Sequence, residues 1–263
     1  MKFCSLYSGS SGNSIFVSSE KSKILIDAGL PGKKIDEALK SIGQKPEELN
    51  GIFITHEHSD HIKGVGVLSR KYDIPIYAND RTWLAMEGSI GKIKEHNIKV
   101  MDRRSVVDIE DLSIKSFVIP HDAAAAVGYS VVSNDKKISV ATDFGTFTEE
   151  IYSNIKDSEI ILLESNHDIN MLKFGPYPYN LKRRILSEVG HLSNDDCGKA
   201  IVEIAKNGVG KKIILGHLSN TNNHPDLAYE TVLSVMKEKG ITQGEDVIIS
   251  MANRNQPSEY IEL

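Results

Sequence analysis

Strand-length runs of isoleucine, valine and leucine recur along the chain and constrain its fold more than any other feature. Ile24-Leu25-Ile26, Ile52-Phe53-Ile54, Ile138-Ser139-Val140, Ile160-Ile161-Leu162-Leu163, Ile213-Ile214-Leu215 and Val247-Ile248-Ile249 are such runs, and most end in a polar residue and turn chemistry. Helical periods lie between them. Ile35, Ala38, Leu39 and Ile42 share one face, with Gly43 as a C-terminal stop. Ala200, Ile201, Ile204 and Ala205 share another, with Ser193 as N-cap, Asp196 after it and Gly208 at the far end. A third helix is predicted from about Asp226 to Lys239, with Leu227, Val232, Leu233, Val235 and Met236 inward and Gly240 as its stop. The residues through Phe16 and Val17 read as hairpins. Strands early and strand-helix alternation later favour two packed sheets with helices outside over a simple doubly wound sheet. No repeat, low-complexity tract or linker interrupts the sequence, so residues 1–263 are expected to form one domain.

The run Ile52-Phe53-Ile54-Thr55 leads directly into His56-Glu57-His58-Ser59-Asp60-His61. The chain has only nine histidines, so three within six residues need a chemical reason. Imidazole nitrogen and carboxylate oxygen are preferred ligands of zinc and similar divalent ions. On a chain leaving a strand, His56 and His58 face one side and suit one ion; Asp60 and His61 continue the turn toward a second. A plain solvated turn would carry Gly, Asn and Pro instead. Three further candidates stand where apolar runs end: His121 after Val118-Ile119-Pro120, Asp143 after Val140-Ala141-Thr142, and His217 after Ile213-Ile214-Leu215-Gly216. Each alone reads as a strand-exit cap. Together with the cluster they supply the ligands that two open metal sites require.

Thr-His-x-His-x-Asp-His after a strand, with the later His, Asp and His in order, resembles the signature of the metallo-β-lactamase superfamily. The resemblance runs from Tyr7 to roughly Pro225. It implies a four-layer αββα sandwich, within the α+β class, with metals at one edge of the sheets. It implies further that His56, His58 and His121 hold one ion, that Asp60, His61 and His217 hold a second, and that Asp143 bridges them. Asp27, in Ile26-Asp27-Ala28-Gly29, matches the early aspartate that braces the metal loop from behind. Two divalent ions per chain are expected, zinc or manganese, with iron also compatible with the ligand set.

Finer features narrow the resemblance. Gly190-His191-Leu192-Ser193-Asn194 before a capped helix is similar to the ribonuclease Z group, which implies His191 as general acid, against a polar loop residue at the helix entrance. Ser8 to Ser14, Leu163 to Asp168, Gly175 to Arg184 and His217 to Pro225 resemble the YycJ/WalJ group of metal-dependent nucleases, implying exonuclease action on DNA from the 5′ end. Asp60 is grouped with His191 among the catalytic residues. Glu164 and His167 follow a buried strand; either braces the site, and for His167 a purely structural hydrogen bond is an equal alternative. Tyr177 and Tyr179 are placed to stack on bases, and Lys173, Lys182, Arg183 and Arg184 to meet phosphates, or else the loop packs on itself and the cations form a solvated face. Ser10, Ser11 and Asn13 either approach substrate or form a plain hairpin turn. His96 and His224 read as surface or packing residues.

The net charge of −5 argues against a uniformly basic nucleic-acid coat while leaving room for a local basic patch. Cys4 and Cys197 are too few for a disulfide framework. There is no charged and apolar leader pattern at Met1-Lys2-Phe3-Cys4-Ser5 and no apolar run near the ~18 residues that cross a bilayer, so a cytoplasmic protein without a membrane partner is expected. On the same metals, thioester or small phosphodiester cleavage is the rival activity, a non-catalytic metal-dependent regulator the rival class. A flavin-partnered diiron oxidoreductase would place glutamate where His58 stands.

Overall fold

The computed structural model describes residues 1–263. Its first half comprises β1 (Lys2–Tyr7), β2 (Ser14–Ser18), β3 (Lys23–Ile26), α1 (Gly32–Ser41), β4 (Gly51–Phe53), α2 (Ser59–Ile62), α3 (Val65–Tyr72), β5 (Ile76–Ala78), α4 (Asp80–Ile90) and β6 (Ile98–Val100). The second half comprises β7 (Val106–Ile109), β8 (Leu112–Val118), β9 (Val127–Ser133), β10 (Lys136–Ala141), α5 (Glu149–Ile155), β11 (Ile160–Glu164), α6 (Ile169–Phe174), α7 (Tyr179–Ile185), α8 (Asn194–Ala205), β12 (Lys211–Gly216), α9 (Pro225–Glu238), β13 (Val247–Met251) and β14 (Ile261–Glu262). No helix is long and apolar enough to cross a membrane.

Two seven-stranded sheets form, in the orders β14-β1-β2-β3-β4-β5-β6 and β13-β12-β11-β10-β9-β8-β7. In each, antiparallel pairing gives way to parallel pairing: β3 through β6 in the first sheet and β10 through β13 in the second. The unbroken apolar runs of β3, β4, β11 and β12 lie inside these sheets, where both faces are covered, whereas edge strand β13 leaves Ile248 39% exposed. Ile24 and Ile26 point between the sheets, where they meet Phe53, Tyr129, Val140, Ile160 and Leu162. Leu25, between them, faces Ile35, Leu39 and Leu68 of the helices outside. On the other side Ile161 and Leu163 join Ile201, Ile204, Val232 and Met236. Layers of helix, sheet, sheet and helix result, the expected αββα sandwich.

The helix boundaries follow their caps. Ser193 accepts from the Asp196 amide at the head of α8, and Gly43 takes a left-handed φ of 73° just past α1. One inward position differs. Leu227, in the first turn of α9, is 37% exposed, and Ala228 takes its place against the core, because the helix starts at Pro225 and turns that face outward. Parallel strands direct their C-terminal ends to one edge, and the exits of β3, β4, β10, β11 and β12 gather there, beside the exit of β8.

Candidate metal centre

Three of those exits force the backbone into the left-handed region. Asp27 (φ 60°), Asp143 (φ 63°) and His217 (φ 54°) each follow a parallel strand, β3, β10 and β12. Asp and His tolerate this conformation better than branched residues, yet it carries strain that the surrounding bonds must hold. The loop after β4 is laid onto its neighbours by the backbone: Asn13 N donates to Asp60 O (2.8 Å), Ala28 N to His61 O (2.8 Å) and Gly64 N to Ala28 O (2.7 Å). Gly29 permits this approach, since a Cβ there would lie 1.6 Å from the Asp60 carbonyl oxygen.

His56, His58 and His121 bring their ligand atoms together. His56 Nε2 lies 3.1 Å from His58 Nδ1, and His121 Nε2 lies 3.3 Å from the same atom. Ligand atoms at ~2.0–2.1 Å around a tetrahedral ion are separated by about 3.3 Å, so the spacing fits an ion between them. The opposite ring nitrogens are occupied: His56 Nδ1 donates to Thr55 Oγ1 (3.0 Å) and His121 Nδ1 to Gly190 O (3.3 Å). Burial first, and then the charges of neighbouring imidazoles, hold His56 well below the ordinary histidine range; burial lowers His121 as well. Burial thus favours in both the neutral form, which is the ligating one.

Asp60, His61 and His217 form the adjoining group. His61 Nε2 is 3.5 Å from Asp60 Oδ2 and 3.4 Å from Asp143 Oδ2; His217 Nε2 is 3.6 Å from Asp60 Oδ2. Asp143 lies between the groups, its Oδ1 4.0 Å from His121 Nε2 and 3.3 Å from His217 Nδ1. Asp143 Oδ2 and His217 Nε2 are buried without any hydrogen-bond partner, and a buried polar atom without a partner is costly. A divalent cation is the partner that a carboxylate oxygen and an imidazole lone pair share.

Behind these atoms stand two carboxylates. Asp27 Oδ2 accepts from His61 Nδ1 and from Thr55 Oγ1, both at 2.7 Å, and Asp27 Oδ1 accepts from Thr55 N (2.9 Å). Glu164 Oε1 accepts from His191 Nδ1 (2.7 Å) and His217 Nδ1 (2.9 Å), while its Oε2 accepts from Phe144 N (2.8 Å). Burial alone would lower His61 and His217. The facing carboxylates reverse the sign, lifting His61 well above its usual value and His217 to about 10. Burial opposes ionisation of Asp60 and Glu164 too, but the imidazoles hold both below the carboxylate range.

The remaining sequence candidates separate. His191 lies against Glu164 and Asp143 (3.8 Å from Asp143 Oδ1), 20% exposed, and lines a cavity of about 160 Å³ with Ser10, Asp122, Tyr177, Arg184 and Ser219. Ser10 and Ser11 are exposed at the β1–β2 turn. Asn13 is not; its amide is buried 3.1 Å from His61 Nε2, bracing the loop. His167 is 1% exposed with both ring nitrogens unpartnered, and burial lowers it to about 4. It packs beside Ser193, outside the convergent groups. Lys182 is turned onto its own loop, donating to Lys173 O (2.9 Å) and Gly175 O (2.7 Å), and Arg184 is paired with Asp122. Arg183 stands over the exposed Tyr179 ring. His96 and His224 are surface residues.

Sequence reasoning passed over Arg254. It donates to Leu218 O (2.9 Å) and Asn220 Oδ1 (2.6 Å), pinning the loop that follows His217, and its Nε lies against Gly9 of the β1–β2 turn. It passed over Asn194 and Asn223 as well, which with Ser165 form a buried amide network under the same loop.

The chain matches the Metallo-beta-lactamase superfamily model over residues 7–217. It is 40% identical to Exodeoxyribonuclease YycJ of Bacillus anthracis, over 98% of this chain and 98% of that one. It is 43% identical to Exodeoxyribonuclease WalJ of Streptococcus pneumoniae serotype 2, over 93% of this chain and 91% of that one. In fold it resembles the metallo-beta-lactamase fold protein YhfI from Bacillus subtilis, with a TM-score of 0.72 at 14% identity, covering 98% of this chain and 99% of that one.

Proposed function

The chain belongs to the metallo-β-lactamase superfamily, and from that membership and the site's geometry we propose that it is a dinuclear metal-dependent exodeoxyribonuclease of the cytoplasm, built as one domain. The observation that carries the reading is the convergence of nine His, Asp and Glu side chains in overlapping groups, seven of them assigned here to metal, in a chain 40–43% identical to two exodeoxyribonucleases over almost its whole length.

His56, His58 and His121 are assigned to one ion, Asp60, His61 and His217 to the other, and Asp143 to both. Zinc or manganese suits this nitrogen and oxygen donor set, and iron is not excluded by it. Divalent ions held there supply Lewis acidity, polarising a phosphoryl oxygen and acidifying water toward a pKa of ~7. Asp27 and Glu164 fix which nitrogen of His61 and His217 remains free for a ligand bond. His191 is held by Glu164 at Nδ1 and lines the cavity, which positions it to hand a proton to the departing oxygen of a phosphodiester. Ser10, Ser11, Tyr177, Tyr179, Lys173 and Arg183 are assigned to substrate contact. Lys182 and Arg184 are assigned to shaping the loop that presents them.

The test is hydrolysis of end-labelled double-stranded DNA by metal-assayed protein, with zinc and manganese in parallel. Release of nucleotides from the 5′ end is expected. His58→Ala should abolish metal and activity together, whereas His191→Ala should keep its metal and lose ~10²–10⁴-fold in rate. Bound metal with no cleavage of DNA under either condition would overturn the nuclease reading and favour small thioesters or phosphodiesters.

A further inference from the structure

The α6–α7 hairpin beside His191 carries apolar surface that the fold does not use. Phe174 is 86% exposed and Tyr179 73%, with Met171 also at the surface. Every other phenylalanine is buried or packed against a core. The same segment, from Ile169 to Ser187, holds Lys173, Lys182, Arg183 and Arg184 and no acidic residue, in a chain whose net charge is −5. Lys182 and Arg184 are engaged within the fold, which leaves Lys173 and Arg183 beside the projecting aromatic, a pairing suited to an anionic partner with flat apolar faces, which describes nucleic acid.

The projection is fixed before any substrate arrives. Asp168 caps α6 by accepting from Met171 N, and its own amide donates to Asn222 O. Lys182 ties the two helices by bonding Lys173 O and Gly175 O. At Gly175 a Cβ would lie 2.4 Å from Met171 O and 2.8 Å from Asn222 Oδ1, so the turn is closed onto the loop beneath it. At the far end of α7, His191 N donates to Ile185 O (3.0 Å), joining the hairpin to the residue assigned to proton transfer. Tyr177, three residues beyond Phe174, lines the cavity beside His191.

That cavity is about 160 Å³ and opens to the surface. A strand led from a duplex end to His191 leaves its pairing partner, and a base displaced from its stack needs a new face to rest on. We propose that Phe174, backed by Tyr179 and Arg183, is a strand-separating wedge that stacks on the terminal base pair of a DNA duplex and lets one strand enter the cavity. The proposal rests on the nuclease reading and specifies its substrate as a duplex end.

The experiment compares hydrolysis of a blunt duplex, the same strand alone, and a duplex with mismatched terminal pairs, by metal-loaded wild type, Phe174→Ala and Phe174→Trp. The ratio of duplex to single-strand rates should fall roughly 10-fold in Phe174→Ala, the size of one base–aromatic stacking contact. Terminal mismatches should restore it, and Phe174→Trp should keep it. An unaltered ratio, or equal losses on both substrates, would overturn the wedge while leaving the nuclease standing. Wild-type protein that cleaves neither substrate would overturn the nuclease reading and the wedge with it.

Discussion

Two regions of this molecule bury carboxylates, and they neutralise them differently. On α1 the Asp36 side chain, 9% exposed, meets Lys40 (2.7 Å), Lys71 (2.9 Å) and the Tyr72 hydroxyl (2.6 Å). At the strand exits Asp27, Asp60, Asp143 and Glu164 find only imidazoles as ion-pair partners. Lysine is a fixed cation, so the Asp36 cluster is complete as it stands. Imidazole can surrender its proton to an incoming cation and then offers a lone pair, so the second region can exchange protons for divalent ions without rebuilding its bonds. The choice of partner, more than the presence of buried acid, separates a structural ion pair from a candidate catalytic centre.

The sharpest way to break this contrast is Asp143→Asn. The carboxylate lies between both imidazole groups, and its Oδ2 has no other partner. Metal content by elemental analysis should fall, and DNA hydrolysis should drop by roughly 10³-fold or more, given the several kcal/mol that metal ions contribute to such transition states. Chelation should lower the melting temperature of wild type, whose folded state alone binds the ions, and have little effect on Asp143→Asn. A variant that retains both metal and rate would remove Asp143 from the centre.

Glu164→Gln probes the support behind the ligands. The change conserves shape but removes the charge that His191 and His217 share. A loss of ~10–100-fold in metal affinity or rate is expected. If metal titration and turnover match wild type, Glu164 is only a structural acceptor for Phe144 N and Leu192 N.

Arg254 sharpens the contrast from the opposite direction, being a fixed cation placed beside the centre but bonded to a carbonyl and an amide instead of a carboxylate. Arg254→Ala should loosen the loop after His217, costing about 1–2 kcal/mol of stability and shifting the melting temperature by ~2–4 °C per kcal/mol. Metal stoichiometry should survive. A Tm equal to wild type would show that the loop holds without this clamp.

Much of the centre was legible because its chemistry is local. His56 to His61 are contiguous, and His121, Asp143 and His217 each end an apolar run, so strand periodicity and ligand chemistry pointed to the same positions. The inter-sheet core was legible for the same reason, since a strand covered on both faces carries an unbroken apolar run. Arg254 and the Asn194–Asn223 network were not, because their partners lie 29 to 58 residues away in the sequence. Lys182 and Arg184 looked like phosphate contacts by composition, yet charge in a sequence does not tell whether the head group is already spent on a carbonyl or a carboxylate. Phe174 carried no signal at all, since a lone aromatic at helical spacing reads as core until its exposure is measured. β6 and β7 stood outside the apolar runs because both are sheet-edge strands, β6 exposed throughout and β7 half exposed.

The smallest effect is expected at Asp36, and its pH dependence completes the contrast. Burial opposes its ionisation, but bonds from Lys40, Tyr72 and Lys71 more than offset that and hold the carboxyl well below the usual range. A carboxyl depressed on folding stabilises the native state at every pH above its unfolded value of ~3.9, and the contribution fades as pH falls from there toward the folded value. Because the lysine head groups are more than half exposed, solvent screens the pair, and Asp36→Asn should cost only about 1 kcal/mol at neutral pH. The melting-temperature difference from wild type should stay constant above pH ~5 and shrink below pH ~4, with metal content and DNA cleavage at neutral pH equal to wild type. A loss of metal or rate in Asp36→Asn would mean that the two carboxylate regions are coupled through α1 and α3, and that lysine pairing does not isolate the one from the other.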